Sequence, residues 1–224
     1  MWEPNPISYD RKADDILRNL ASFLETSLPA IERPFLMVTE GDVLRATTLY
    51  VVHPINLALN AKYRDTPIYC LAENFREGIR CDITWKYQNG ENLDTIAVLE
   101  LKRRGVLLWK EFACAQSDAR NREDKMQEAY KNVGDDIMAT TLLTGNAMTL
   151  SKQAAAYAIR QKTQFVALFD WDSMFLFQFC KLDLAQKEPG DWAYGTWVED
   201  TGPTFFRKTL FGFLVAACEA KIAT

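Results

Sequence analysis

The chain has 224 residues, 48% of them hydrophobic, a length and apolar content that fit one domain around one sizeable core. A formal net charge of −4 and a pI near 5.2 exclude the overall basic character of proteins that coat nucleic acid without specificity, although a metal-dependent site must itself be acidic. The five cysteines are odd in number, widely spread and without a C-x-x-C pair, which excludes that zinc or redox motif and leaves them as reduced, mostly buried thiols.

In chain order, Asp10 is placed to cap a helix running to about Leu28, because Leu17, Leu20, Leu24 and Leu28 recur at helical spacing. Pro29 and Pro34 then break the chain. Thr39 with Asp42 three residues on forms a capping-box pattern and opens a second helical stretch through Val43, Leu44, Val51 and Val52, interrupted or kinked at Pro54. From Ile68 the pattern turns to strands: Ile68 to Phe75, a turn at Arg76-Glu77-Gly78, Ile79 to Tyr87, a loop with Asn89-Gly90, and Thr95 to Lys102. These make a three-stranded meander. Polar helical sequence follows from Asp118 to Asn146, then a helix from Leu150 to Lys162. Gln164 to Asp170 and Met174 to Phe179 read as an aromatic hairpin around Trp171-Asp172-Ser173. After a Gly/Pro/Trp-rich loop, Thr204 to Ile222 is apolar on several sides and is expected to be a buried closing helix.

No apolar run approaches the ~20 residues of a membrane helix, and the first residues carry neither a basic leader nor an apolar h-region. The expectation is a soluble intracellular protein of cytoplasm or nucleus with no membrane partner. The single histidine, His53, excludes two-histidine zinc sites, and any Ser/His/Asp or Cys/His mechanism would have to run through it. No Walker or G-x-G-x-x-G loop is present. By elimination, chemistry rests on carboxylates and lysine.

Strand alternation supplies a candidate. In Thr95 to Lys102, Glu100 and Lys102 share one face while Leu99 and Leu101 share the other, and the apolar lead-in Ile96 to Leu99 marks a central strand. One strand earlier, Asp82 alternates with Thr84 and Lys86 against Ile83, Trp85 and Tyr87. Pairing through Asn89-Gly90 would bring Asp82 and Glu100 to ~5 Å, or ~7–8 Å on the diagonal. Oxygen ligands without histidine or thiolate suit Mg²⁺ or Mn²⁺. Lys102 beside them would orient water or stabilise charge on phosphorus. Lys102, Arg103, Arg104, Lys110, Arg120 and Arg122 could meet phosphates, or form a solvated charged face.

Gly78-Ile79-Arg80-Cys81-Asp82, a turn, then Val98-Leu99-Glu100-Leu101-Lys102 resembles the signature of the PD-(D/E)XK nuclease superfamily, with Cys81 where the name-giving proline would stand. Gln153-Ala154-Ala155-Ala156-Tyr157 is similar to the Q-x-x-x-Y helix motif of that superfamily, and its spacing sets Gln153 and Tyr157 on one face. The resemblance extends over roughly Thr39 to Phe179, and the whole pattern also looks like nuclease-like modules common in fungal genomes. It implies an α/β restriction-endonuclease-like core (αβββαβ), with a mixed central sheet flanked by helices. That gives one domain over 1–224, with the core at about 39–180 and the N-terminal and C-terminal helices as additions.

The resemblance further implies metal binding by Asp82, Glu100 and the Leu101 carbonyl, catalysis by Asp82, Glu100 and Lys102, and support of the site or substrate backbone by Gln153 and Tyr157. Glu40 is the candidate for the extra acid that family members carry on the first helix, and is alternatively a favourable charge at a helix N-terminus. Glu73 ranks below it, and turn chemistry accounts for Asp170 and Asp172. The expected activity is Mg²⁺- or Mn²⁺-dependent hydrolysis of phosphodiesters in nucleic acid, DNA rather than RNA, by a monomer or homodimer. A nuclease-fold binding module that does not cut, or a toxin or genome-conflict effector using this nuclease, are the alternatives.

Overall fold

Sheet pairing organises the chain. In the computed structural model, which describes residues 1–17, 36–76, 78–131, 141–180, 182, 193–199 and 203–222, seven strands form one mixed sheet. They are β1 (Trp2–Pro4), β2 (Ile68–Arg76), β3 (Ile79–Asn89), β4 (Asn92–Leu101), β5 (Phe165–Phe169), β6 (Ser173–Phe179) and β7 (Ala193–Glu199), in spatial order β1-β7-β6-β5-β4-β3-β2. The meander β2-β3-β4 and the hairpin β5-β6 are both present, as the alternation predicts. β4 and β5 are parallel, which requires the crossover supplied by helix α6 (Gly145–Gln161). Strands β1 and β7, paired in parallel, are absent from the sequence reading: β1 has only three residues, and β7 follows the loop rich in glycine, proline and tryptophan.

Helices cover both faces. On one side α1 (Tyr9–Leu17), α2 (Glu40–Thr47), α3 (His53–Lys62) and α7 (Pro203–Ile222) bury Ile83, Trp85, Ile96, Leu99, Phe165, Phe169 and Leu176 of the sheet. On the other side α4 (Trp109–Ala113) and α6 cover Val98, Val166, Leu168, Phe175 and Phe177, while α5 (Arg122–Lys131) contributes Ala129 to the buried set. The expected buried closing helix is α7, where Phe206, Leu210, Phe211, Phe213 and Leu214 are all buried. Gly212 lets α1 approach it closely, since a Cβ there would lie 1.9 Å from the Tyr9 carbonyl oxygen.

Several local expectations need correction. The Ser8 carbonyl accepts the first helical bond of α1, from Lys12 N–H, so Asp10 lies in the first turn and not at the cap. Of the helix expected to reach Leu28, residues 18–28 lie outside those described. The Thr39/Asp42 capping box forms as the spacing predicts, with both reciprocal bonds present. The interruption expected at Pro54 is observed, and Pro54 stands in the first turn of the helix that follows. It cannot donate to the Tyr50 carbonyl, so the chain passes through a π turn, Thr48–Val52, in which His53 N–H bonds to the Thr48 carbonyl. The Tyr50 carbonyl, to which Pro54 cannot donate, accepts from Nε of Arg207, a buried residue of α7. The polar helix expected over Asp118 to Asn146 is observed over Arg122–Lys131. Asp118 Oδ1 forms a turn with the Arg120 and Asn121 amides, residues 132–140 lie outside those described, and Asn146 belongs to α6.

Candidate functional site

The β3-β4 ladder carries a one-residue irregularity: Trp85 faces Ala97 but Lys86 faces Thr95, so Ile96 is an extra residue on β4. On the far side of it the register is Thr84↔Val98 and Ile83↔Leu99, which continues to set Asp82 against Glu100. The last bond there does not follow the ladder. Leu101 N–H donates to Asp82 Oδ2 at 2.8 Å, so a side-chain oxygen satisfies a strand amide and fixes the Asp82 carboxylate at the strand end.

Glu100 is held from two sides. Lys102 Nζ donates to Oε1 at 2.6 Å and Gln153 Nε2 to the same oxygen at 2.8 Å. Its side chain is 7% exposed, and Oε2 is buried with no hydrogen-bond partner. Burial pushes the Glu100 carboxyl above its usual range and Asp82 pushes it further, while Lys102 and the Tyr157 hydroxyl favour the ionised form. Burial also raises Asp82, against the opposing pull of the Leu101 N–H and Lys102, with Glu40 adding to the rise.

Gln153 and Tyr157 stand one turn apart on α6, as their spacing predicts, and the Gln153 amide also donates to the Tyr157 hydroxyl. Burial, reinforced by the neighbouring Glu100, drives the Tyr157 hydroxyl pKa up, so it stays protonated. A further turn along the same face lies Gln161, fully buried, which accepts from Thr95 Oγ1 and donates to Cys81 Sγ. Sequence reading passed over Gln161, although its position four residues beyond Tyr157 is a signal that could have found it. Cys81 is buried, its thiol pushed up to about 12 first by burial and then by Glu100, so it is a neutral packing group.

Helix α6 is anchored so that this face is fixed. Glu111 of α4 accepts the Ala147 N–H at the α6 N-terminus, a carboxylate at the positive end of the helix. Gly145, at φ +50°, makes room for it, since a Cβ there would come within 2.4 Å of Glu111 Oε1. At the other end the Lys162 carbonyl accepts from Lys221 Nζ of α7 at 2.8 Å.

The structure thus brings Asp82, Glu100, Lys102, Gln153 and Tyr157 together. Glu40 is the exposed first residue of α2 and acts on Asp82 through its charge. Among the described residues no group of three His, Cys, Asp or Glu side chains is arranged to hold an ion, so the acids form a pair with Glu40 apart from it. Glu73, at φ +50°, is exposed and engaged by Arg80 at 2.8 Å. Asp172 takes Arg104 Nε on both oxygens, and Asp170 closes the β5-β6 turn as expected. Arg122 pairs with Glu3, Lys125 donates to the Cys114 carbonyl, and Arg103 and Lys110 are exposed.

No family model, curated protein or solved structure shows a match to this chain. Among the described residues no helix is long and apolar enough to cross a membrane.

Proposed function

We propose that the protein is a metal-dependent nuclease with a restriction-endonuclease-like core, hydrolysing phosphodiester bonds in DNA rather than RNA. The observation that carries this reading is the buried Glu100 carboxylate, one oxygen of which has no partner, set against Asp82. Two desolvated carboxylates side by side are costly, and a cation that both bind offsets the cost. The order of elements supports it too, since α2-α3, β2-β3-β4, α6 and β5 follow the helix, three strands, helix, strand sequence of that core.

The donor set fits a hard divalent ion. Glu100 Oε2, the Asp82 carboxylate and the Leu101 carbonyl would hold Mg²⁺ or Mn²⁺, all oxygen and without thiolate or imidazole. When bound, such an ion supplies a polarised phosphoryl oxygen and a water of lowered pKa. The remaining roles belong to the chain. Lys102 brings a positive charge to the phosphate, where it stabilises the negative charge that builds up on the phosphoryl oxygens. Gln153 fixes the Glu100 rotamer, and the protonated Tyr157 hydroxyl favours the ionised form of that carboxylate against the rise that burial and Asp82 impose. The Leu101 N–H orients Asp82.

Plasmid and single-stranded substrates incubated with Mg²⁺ or Mn²⁺ test the proposal. Cleavage is expected in the unmodified protein, abolished by EDTA, and reduced about 10²-fold or more in Lys102→Ala. Equal nicking by both proteins would sink the catalytic reading. A second reading, a binding module that does not cut, is favoured by the ion pair that already engages Lys102 with Glu100 and by the net charge of −4. It requires nucleic-acid binding without cleavage under the same metals.

A further inference from the structure

At the edge of the sheet opposite Asp82 and Glu100, a cleft of about 390 Å³ opens where β1 and β7 meet the start of α1, α4 and α7. That volume lies within the range of sites for small organic ligands. Its wall is aromatic: the Trp109 and Trp197 rings lie 5.5 Å apart, and Trp2 backs Trp109 edge-on at 5.9 Å. Trp109 is 38% exposed and Phe205, also lining the cleft, 36%, so the wall presents aromatic surface that a ligand can cover.

Two polar features narrow the ligand. Among the described lining residues Asp10 is the one charged side chain, and Lys208, the cation whose charge reaches it from outside the lining, is itself paired with Asp14 at 2.7 Å. A hydrogen bond from the Ser8 hydroxyl holds the Asp10 carboxyl below its usual range, so it is anionic at neutral pH. Thr209, 3% exposed, also lines the cleft, and its Oγ1 is buried without a partner. A phosphate or carboxylate ligand would meet Asp10 with no cation in the lining to balance it, and a purely apolar ligand would leave both Asp10 and Thr209 unused. A cation clothed in apolar groups suits ring faces and a carboxylate together.

We propose that this cleft binds a small alkylated ammonium ion, with the cationic head against Trp109, Trp197 and Asp10 and a polar group of the ligand meeting the Thr209 hydroxyl. The site is separate from the acidic pair and does not depend on nuclease activity.

Titration calorimetry on the full chain with choline as probe tests it, with 3,3-dimethylbutan-1-ol as the neutral isostere of the same shape. Saturable choline binding is expected, at least tenfold tighter than the isostere, weakened about tenfold by Asp10→Asn and lost in Trp109→Ala. Melting curves establish that each variant is folded. Should Trp109→Ala fail to fold, Asp10→Asn and the isostere carry the comparison. Absence of choline binding at millimolar concentration, equal binding of the isostere, or binding undiminished by Asp10→Asn would each overturn the proposal.

Discussion

Two buried carboxylates close neighbouring parallel strands, and they are satisfied in opposite ways. Asp170, fully buried just past β5, accepts three backbone N–H groups: Leu107 at 2.7 Å, Ser173 at 2.9 Å and Asp172 at 3.1 Å. Glu100, near the end of β4, is met only by side chains: Lys102 and Gln153 donate to one oxygen, the Tyr157 hydroxyl also favours its charge, and buried Oε2 has no hydrogen-bond partner. Backbone donors are part of the fold and cannot be exchanged for a ligand without unfolding something. Side-chain donors can turn away, and an oxygen without a donor is already open to one. The contrast separates a carboxylate held by the backbone from one whose side-chain partners a ligand can exchange, although burial raises the pKa of both.

Three experiments press on that difference. Asp170→Ala strands three backbone amides at once, two of them buried, and is expected to destabilise the protein by about 3–5 kcal/mol, a fall in Tm of roughly 10 °C. A loss below about 1 kcal/mol would show that water replaces the carboxylate and would remove the contrast. Millimolar Mg²⁺ or Mn²⁺ is expected to raise the Tm of the unmodified protein by a few degrees, corresponding to roughly 1–3 kcal/mol of linkage, and not that of Asp82→Asn. An equal shift in both proteins would place the ion elsewhere.

The smallest effect concerns pH. Asp82 and Glu100 keep their protons in the folded state to higher pH than in the unfolded chain. Metal-free stability therefore falls as pH rises from the ordinary carboxylate pKa near ~4 through their raised values, and levels off above them. Asp82→Asn keeps an acceptor for the Leu101 N–H while removing the repulsion on Glu100. Denaturant melts should show it losing less stability over that interval and ending more stable at neutral pH by under about 1 kcal/mol, the half-exposed position screening the charge. A variant less stable than the unmodified protein, with the same pH slope, would mean that the pair is not strained.

Much of this was legible because it rests on local spacing. The Thr39/Asp42 box, the Asn89-Gly90 hairpin and the Trp171 tip are short-range patterns whose geometry is fixed within a few residues. Period-two alternation put Ile83, Trp85 and Tyr87 in one core and Glu100 on the opposite face. The interruption at Pro54 was legible, but its form was not: the π turn at Thr48–Val52 and the Arg207 bond to the Tyr50 carbonyl, more than 150 residues away in sequence, depend on the fold. Nor were β1 and β7, since strands of three and seven residues carry too little periodicity to stand out from a loop rich in turn residues.

By itself the sequence determined which residues could meet: alternation and i, i+4 spacing assign Asp82, Glu100 and Lys102 to strand faces, and Gln153 with Tyr157 to one helix face. Only the tertiary structure decided how they meet. The β4-α6-β5 crossover carries Gln153 onto Glu100, Glu111 and Gly145 fix the helix that does so, and long-range packing leaves Glu100 Oε2 without a donor while Asp170 has three. The reason is physical: side-chain direction is set by local backbone geometry, whereas burial and hydrogen-bond supply depend on what the rest of the chain brings alongside.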